Sequence, residues 1–310
     1  MVEKELAAYG VVTGVGRIDG RPLPHIWTTH DQRHALRRLV DQSRVAALPV
    51  SVEALAMVAD DLSSAGAIPL AMQDYIAIGY LDLDRVEVLV ESITEACAEN
   101  DVALLGGETA EHPGIIDGDR FDIAATALAV VELGDEVDNG HIEVGDVIIG
   151  VHSPNLRTSG FSLVRALIVD QLDLDASFPG SDRSFAEVLL DPSVVYAPSV
   201  VNALARAAPH GLAHVKDGGL PASVSRILPD GAAAAIERSR WEIPEVFQVL
   251  QGLSSVSDDE MFHMFNMGIG FLAIAPEVDA DRLIKGFNSY DQGATVIGRI
   301  MEGDGTLTIL

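Results

Sequence analysis

The sequence predicts an α+β protein of two domains, and three observations support this prediction. At 310 residues the chain is long enough to bury two hydrophobic cores. Hydrophobic residues make up 48% of it and aromatic residues only 5%, which is typical of enzymes built from Ala-, Val- and Leu-rich helices and sheets. Helical and extended patterns also mix along the chain without the strict strand-helix-strand order of a doubly wound fold.

The first half of the chain contains helical and extended patterns in turn. Apolar residues at helical spacing predict helices, and short apolar runs predict strands. In chain order we expect a loop or edge at 21–24, a mostly helical segment at 29–47, a helix at 52–65 ending at Gly66, a strand at 69–78, a helix at 83–100, and strands at 102–105 and 123–131.

An acidic segment at 133–145 separates the two halves, so we place the domains at 1–135 and 146–310. The second half begins with a strand and then mixes both kinds of element. We expect a strand at 146–151, helices at 162–169, 194–208, 245–253 and from 218 onward, and strands at 268–275 and 294–301. Ser159 or Gly160 lies near the cap of the first of these helices.

Charge and cysteine content exclude several classes of function. The formal net charge of -27 argues against binding to a nucleic-acid backbone, which it would repel. The apolar runs are too short to cross a bilayer and the first residues do not form a signal peptide, so we expect a cytoplasmic protein. The single Cys97, in a helical pattern, predicts a buried thiol rather than a disulfide or a metal cluster. Lysines are scarce and a Walker-type phosphate loop is absent.

The most informative segment is 104–114, which reads L-L-G-G-E-T-A-E-H-P-G. After an apolar run come two glycines, and then Glu108 and Glu111 stand three residues apart around Thr109. Glycines allow a ligand to approach the backbone, and carboxylates at a strand end can hold a divalent cation. We therefore expect two acids beside each other in a metal-nucleotide site, although exposed acids on a simple turn would give the same pattern.

Three further acids stand out because their neighbours are apolar. Asp60 and Asp61 lie in the otherwise apolar run 54–62, so Asp61 is a candidate metal ligand. The alternative is that both acids cap a helix or lie on its exposed surface. Asp74 interrupts a strand-like segment, where an isolated carboxylate is costly unless it is paired or bound to metal. A functional role is therefore favoured for Asp74.

Five segments in order resemble the phosphoribosylformylglycinamidine cyclo-ligase (aminoimidazole ribonucleotide synthetase) family. Residues 58–77 resemble its N-D-L…G-A-x-P-L…D-Y, and residues 106–114 resemble its G-G-E-T-A-E-x-P-G. Residues 159–165 resemble N-G-Y-S-L-V-R, and 218–229 and 265–270 complete the series. The resemblance implies an amino-terminal domain whose strands form a β-barrel across a homodimer, and a carboxy-terminal α/β domain. It also implies Mg²⁺ and ATP, with ring closure of formylglycinamidine ribonucleotide, a small-molecule substrate, to aminoimidazole ribonucleotide.

The resemblance also assigns roles to individual positions. It implies metal ligation by Asp61 and Glu111, cofactor contacts by Asp31, Gly106, Gly107, Thr109, Gly218, Gly219 and Asn266, and catalytic roles for Asp74, Glu108 and Arg157. For the carboxy-terminal members a structural explanation is nearly as good. A simple turn accounts for Gly218 and Gly219, and tight strand packing accounts for Asn266.

The chain departs from the family pattern at two places. Where the family has D-G-V-G-T-K, residues 29–39 keep an aspartate, Asp31, but lack the glycines and the lysine. Ahead of Ser159-Gly160 the family histidine is replaced by Arg157, which can bind charge but cannot act as a base. By this alignment the family's first few dozen residues have no counterpart here. The alternative is therefore a paralogue that binds ATP but acts on another small molecule, or is not catalytic.

Overall fold

The computed structural model describes residues 12–14, 17–18, 21–22, 25–33 and 48–310, apart from Asp119, Gln171 and Asp291. The chain divides into two compact units, Met1–Glu136 and Val137–Leu310. The division falls within the acidic segment 133–145 of the sequence. Both units combine helices with sheets, which confirms the predicted α+β class. Among the described residues, no helix is long and apolar enough to span a membrane.

The first unit is built on a mostly antiparallel sheet. Its strands are β1 (Val12–Gly14), β4 (His25–Arg33), β5 (Ile68–Ile78), β6 (Ala103–Glu111) and β7 (Phe121–Val131). Their order is β1-β4-β7-β5-β6, and only β5 and β6 are parallel to each other. The short β2 (Arg17–Ile18) and β3 (Arg21–Pro22) form a separate pair. Strand β6 is therefore the edge of the sheet, and its outer backbone groups have no strand partner within the described residues.

Two helices of this unit cover one face of the sheet. Helix α1 (Leu48–Ser63) contacts β4, β5 and β7, and helix α2 (Leu83–Glu99) contacts α1 and β6. Alternate residues of β5 and β7, including Met72, Ile76, Ile123 and Ala127, are fully buried there. We call this side the helix face. The other side, which carries Gln73, Tyr75, Ala124 and Thr126, is called the open face.

The prediction of a mostly helical segment from residue 29 is wrong for its described part. Residues 25–33 form β4, which pairs with β7 from His25 opposite Val131 to Arg33 opposite Ile123. Nine consecutive pairings to a central strand outweigh a weak local preference for helix. The rest of the predicted segment, 34–47, lies outside the described residues.

The second unit is a six-stranded sheet with helices. Its strands are β8 (Val147–His152), β9 (Gly211–His214), β10 (Ala232–Ile236), β11 (Ile269–Ala275), β12 (Ala294–Glu302) and β13 (Leu307–Ile309). They lie in the order β13-β10-β12-β8-β11-β9, antiparallel except for β10 with β13. The predicted strands at 146–151, 268–275 and 294–301 are thereby confirmed.

The helices of the second unit are mostly short. They are α3 (Phe161–Asp170), α4 (Phe185–Leu189), α5 (Ala197–Leu204), α6 (Gly219–Ser225), α7 (Glu245–Gly252), α8 (Asp258–Met264) and α9 (Glu277–Asn288). Helices α5 and α9 pack together, and residues from both join β8 and β11 in a buried apolar cluster around Tyr196, Phe271 and Phe287. The buried polar residues Ser153, Asn155 and Arg157 follow β8, and the buried His214 ends β9.

Candidate functional site

An open cavity of about 300 Å³ lies over strands β7, β5 and the edge strand β6 of the first unit's sheet. Its lining residues come from three adjacent strands and are Gln73, Asp74, Tyr75, Gly107, Glu108, Ala124 and Thr126. Strand register explains the grouping, because Tyr75 lies opposite both Glu108 and Ala124, and Gln73 lies opposite Thr126. The volume is at the lower end of the range for ligand sites, which suits part of a nucleotide-sized molecule.

A bulge in β6 determines which side chains reach this cavity. Met72 pairs with Leu104 and Asp74 pairs with Gly107, so two residues of β6 stand against Gln73 alone. Gly106 takes a φ of +112° there, a conformation that side chains other than glycine rarely adopt. Gly107 is needed for a second reason, since a Cβ on it would lie 2.4 Å from Oδ1 and 2.5 Å from the backbone oxygen of Asp74.

The segment that sequence reasoning placed at a strand end is part of the strand itself. Strand β6 continues to Glu111, so Glu108 and Glu111 do not lie beside each other as we expected. Three residues of extended chain span roughly 10 Å and end on opposite faces of a sheet. Glu108 lies opposite Tyr75 on the open face, whereas Glu111 lies opposite Ile78 and accepts a hydrogen bond from the backbone of Leu81 at 2.8 Å. Thr109, opposite Ile76, is also exposed.

Asp74 and Glu108, both predicted as catalytic, direct their carboxylates to different sides of the sheet. Asp74 alternates with the buried Met72 and Ile76, and its carboxylate occupies the space that a Cβ on Gly107 would need. Burial raises the pKa of Asp74. Burial, and then the charge of Asp74, raise the pKa of the buried Cys97 thiol on α2 to about 11. Cys97 is therefore a neutral core thiol, as predicted, and only Glu108 faces the cavity's open side.

Asp61 lies away from the cavity. It is close to the carboxy-terminal end of α1, on the helix side of the sheet, and its backbone oxygen accepts a hydrogen bond from the Ser64 hydroxyl at 2.7 Å. Its neighbour Asp60 is fully buried. Within the part of the chain that the structure describes, no group of three His, Cys, Asp or Glu side chains is arranged to hold a metal. The assignment of Asp61 and Glu111 as metal ligands stays a prediction.

The register does bring other predicted residues together. Asp31 of β4 lies opposite Ala125 of β7, which lies opposite Asp74, which in turn lies opposite Gly107. Three of the predicted positions thus share one row across four strands. Neighbouring strands are about 4.8 Å apart, so the backbones of Asp31 and Asp74 are separated by roughly 10 Å.

Sequence reasoning overlooked Gln73, Tyr75 and Thr126 as cavity residues and His112 beside them. The phenol of Tyr75 is hydrogen-bonded to Nε2 of His112 at 2.7 Å. A signal for three of these was present, since Gln73 and Thr126 are polar positions within apolar strand patterns and Tyr75 follows Asp74 in the matched segment. Their convergence depends on pairing between distant strands, which spacing along the chain does not reveal.

In the second unit Arg157 is committed to protein groups. It is 3% exposed, donates to the Val194 carbonyl at 2.7 Å, lies 3.1 Å from Nε2 of His214, and stacks 4.8 Å above the Tyr196 ring. Because a guanidinium has only donors, His214 must present an unprotonated Nε2 to it. These contacts give Arg157 a structural role, and its assignment as catalytic stays a prediction.

The glycines and asparagine predicted to bind the cofactor also have structural roles. A Cβ on Gly219 would lie 1.9 Å from the Phe262 carbonyl, so close packing demands glycine. The Asn266 amide donates to the Asn155 carbonyl at 2.9 Å and accepts from the Gly268 N–H at 2.8 Å. Gly218, with a φ of +87°, begins α6. Contacts of these residues with a cofactor stay predictions.

Oxygen donors at the cavity fit a hydrated magnesium ion better than a bare one. The Glu108 carboxylate, the Gln73 amide and the Thr126 hydroxyl are hard oxygen groups on its open face. One carboxylate is too few for an all-protein cage, but Mg²⁺ usually keeps several waters and is completed by substrate phosphates. The residues present therefore fit a magnesium ion that arrives with a nucleotide.

Both units match known protein domains. Residues 40–131 match the N-terminal domain of AIR synthase related protein, and residues 143–309 match the C-terminal domain of the same class. These matches cover the cavity and the Arg157 region. By fold and site, the chain is thus of the AIR synthase related class.

Similar individual proteins identify the family within this class. The chain is 38% identical over 258 residues to phosphoribosylformylglycinamidine cyclo-ligase of Bacillus velezensis, covering 83% of this chain and 75% of the relative. It has the same identity and coverage with the cyclo-ligase of Bacillus subtilis strain 168. The chain belongs to the phosphoribosylformylglycinamidine cyclo-ligase family.

Solved structures show the same fold at lower identity. The hydrogenase maturation protein HypE in complex with ATP superposes with a TM-score of 0.69 at 18% identity, covering 95% of this chain and 83% of that one. At this identity the likeness establishes the two-domain architecture. Together with the family matches it confirms the predicted fold class.

Proposed function

We propose that this chain catalyses the ATP-dependent ring closure of formylglycinamidine ribonucleotide to aminoimidazole ribonucleotide, a step of purine biosynthesis. The observation that carries the proposal is the 38% identity to named cyclo-ligases over 83% of the chain, including both units and the 106–114 segment. In this reaction the formyl oxygen of the substrate takes the γ-phosphoryl group of ATP. An amidine nitrogen then attacks the formyl carbon, the ring closes, and phosphate leaves with that oxygen.

The charges at the cavity support binding of ATP as its magnesium complex. Glu108 lines the cavity and Asp74 lies beneath Gly107, so a bare polyphosphate would be repelled. Magnesium, when bound, would neutralise phosphate charge, and Glu108 with the Gln73 and Thr126 oxygens would hold its water shell. The bulged backbone at Gly106 and Gly107 is exposed and free of side chains, which lets a ligand approach closely.

Positioning is the main task left to the protein in such chemistry. The cavity's walls come from strands β5, β6 and β7, and strand elements hold their side chains more rigidly than loops do. Glu108 is fixed by the pairing of β6 with β5 on one side of the bulge. The carboxylate therefore meets the incoming ligand in a preformed geometry.

A homodimer through the open face also belongs to this proposal. Four large side chains on β5 and β6 are at least 37% exposed: Ile68, Leu70, Tyr75 and Leu105. An edge strand with exposed apolar neighbours is a natural site for pairing with a second sheet. A sedimentation experiment that finds only monomers at micromolar concentration would remove this part of the proposal. The cytoplasm remains the expected compartment.

The test of function is formation of aminoimidazole ribonucleotide from formylglycinamidine ribonucleotide and Mg-ATP, measured over a range of salt concentrations because of the charge of -27. We expect one ADP for each product molecule. Glu108→Gln should lower kcat/KM at least about 10-fold, because it removes the cavity's charge without changing shape. Glu95→Gln, at an exposed position of α2, is the matched control. Equal activity of both variants would refute the role of Glu108, and absence of product would refute the proposed reaction.

A further inference from the structure

Tyr75 and His112 form a hydrogen-bonded pair at the rim of the cavity. The phenol oxygen lies 2.7 Å from Nε2 of His112, and the two rings are 6.5 Å apart at an angle of 56°. The residues are 37 positions apart in sequence; Tyr75 lies on β5, and His112 directly follows the neighbouring β6. His112 occupies the variable position of the G-G-E-T-A-E-x-P-G segment, so the family pattern does not account for it.

The backbone of His112 is firmly held. Its N–H donates to the Ile78 carbonyl at 2.7 Å, and its carbonyl accepts from the N–H groups of Ile115 and Ile116 at 3.2 and 3.0 Å. Pro113 follows directly and restricts the conformation of His112 further. An imidazole on such an anchored backbone can fix a partner that is itself less constrained.

Tyr75 is the less constrained member of the pair. Its ring is on the open face, 37% exposed, and lines the cavity next to Glu108 and Ala124. The register places the small residues Ala77 and Ala110 opposite each other between Tyr75 and His112. A half-exposed tyrosine without a tether has other staggered conformations, and some of these would place the ring across the cavity.

We propose that His112 is a positioning residue that holds the Tyr75 ring as a fixed wall of the cavity and thereby sets the affinity for the substrate that binds there. This inference rests on the proposed function. It differs from a catalytic role, because His112 acts through Tyr75 and need not touch the reacting atoms. It predicts a change in a Michaelis constant with little change in kcat.

The experiment is a double-mutant cycle with Tyr75→Phe and His112→Leu in the full chain. Each single variant should raise the KM for Mg-ATP or for the ribonucleotide about 3- to 10-fold, the size of one hydrogen bond, with kcat within about twofold. The double variant should be no worse than either single one, because both changes break the same contact. His112→Gln, whose amide can meet the phenol, should restore most of the affinity.

Other results would overturn the proposal. Additive effects in the double variant would show that the residues act separately, and a lower kcat at unchanged KM would indicate catalysis by His112 itself. A changed oligomeric state in His112→Leu would mean that the pair belongs to a subunit contact. The control is His141→Leu, which removes an exposed histidine of the other unit and should change nothing.

Failure of the proposed function can be told apart from failure of this pairing. If the wild-type chain makes no aminoimidazole ribonucleotide, the same four variants are compared by calorimetric binding of Mg-ATP. Weaker binding in both single variants without further loss in the double variant would support the pairing on its own. Unchanged binding in all variants, or no binding by the wild-type chain, would overturn it.

Discussion

Substitution of Gly107 by alanine tests whether the bulge of β6 shapes the cavity. An ideal Cβ at this position lies 2.4 Å from Oδ1, 2.5 Å from Cγ and 2.5 Å from the backbone oxygen of Asp74. Rotation of the Asp74 side chain can relieve the first two contacts but not the third. Strands β5 and β6 must therefore separate by about 1 Å to restore a separation near 3.4 Å.

The expected effect has two parts. Overpacking of this kind costs about 1–3 kcal/mol, which lowers the unfolding midpoint by roughly 3–15 °C for a unit of this size. A 1 Å displacement of a positioning group can cost up to about 100-fold in rate. Since β6 is an edge strand, it can move without disrupting the core, so kcat/KM should fall further than the stability loss alone explains.

Thermal unfolding and steady-state kinetics of the full chain measure both parts. Gly252→Ala is the control, because a Cβ there meets nothing within 4 Å and the residue lies at the end of a helix. Adding Asp74→Ala to Gly107→Ala should recover only part of the loss, since the backbone oxygen remains. Wild-type stability and activity in Gly107→Ala would refute the account of the bulge given above.

Three other measurements test the remaining structure. Because burial raises the pKa of Asp74, the folded protein keeps this proton at pH values where the unfolded chain has lost it. The free energy of unfolding of Asp74→Asn should therefore increase relative to that of wild type as pH rises from about 3 to about 7. A difference in unfolding free energy that does not change with pH would contradict this. Arg157→Leu should lower the free energy of unfolding, measured with denaturant, by about 2–5 kcal/mol, because Arg157 is buried. The control Arg206→Leu, at an exposed position, should lower it by less than about 0.5 kcal/mol. Equal losses in the two variants would contradict the buried network around Arg157. With a charge of -27, the unfolding midpoint should rise between about 0.1 and about 1 M NaCl, whereas a flat profile would show that repulsion is unimportant.

Long periodic elements could be predicted from the sequence, whereas short or tertiary-dependent ones could not. The helix over 83–100 and the strand over 123–131 are confirmed as Leu83–Glu99 and Phe121–Val131, because their apolar faces are long and regular. The alanine-rich β10, Ala232–Ile236, was missed since alanine favours helix and only pairing with β12 makes it a strand. The predicted helix over 194–208 forms only at Ala197–Leu204.

In the candidate site, too, some residues could be identified from the sequence, whereas their arrangement depends on tertiary structure. Gly106, Gly107 and Glu108 could be identified from their types and spacing, because glycines and an acid in an apolar context are unusual. The separation of Glu108 from Glu111 could not, since it depends on whether the segment is a turn or a strand. Asp61 was grouped with these residues through the family pattern, while the structure places it beyond the other face of the sheet.

The bulge in β6 sets the phase in which side chains beyond Leu104 alternate between the two faces of the sheet. If the same residues ran through this point as a regular strand, side chains beyond Leu104 would alternate in the opposite phase, and Glu108 would face α2 beside Asp74 while Gly107 faced the open side. Two carboxylates would then compete for one buried space. Deletion of one residue between Leu104 and Gly107 would instead remove the bulge and leave Glu108 opposite Tyr75, with its carboxylate still on the open face.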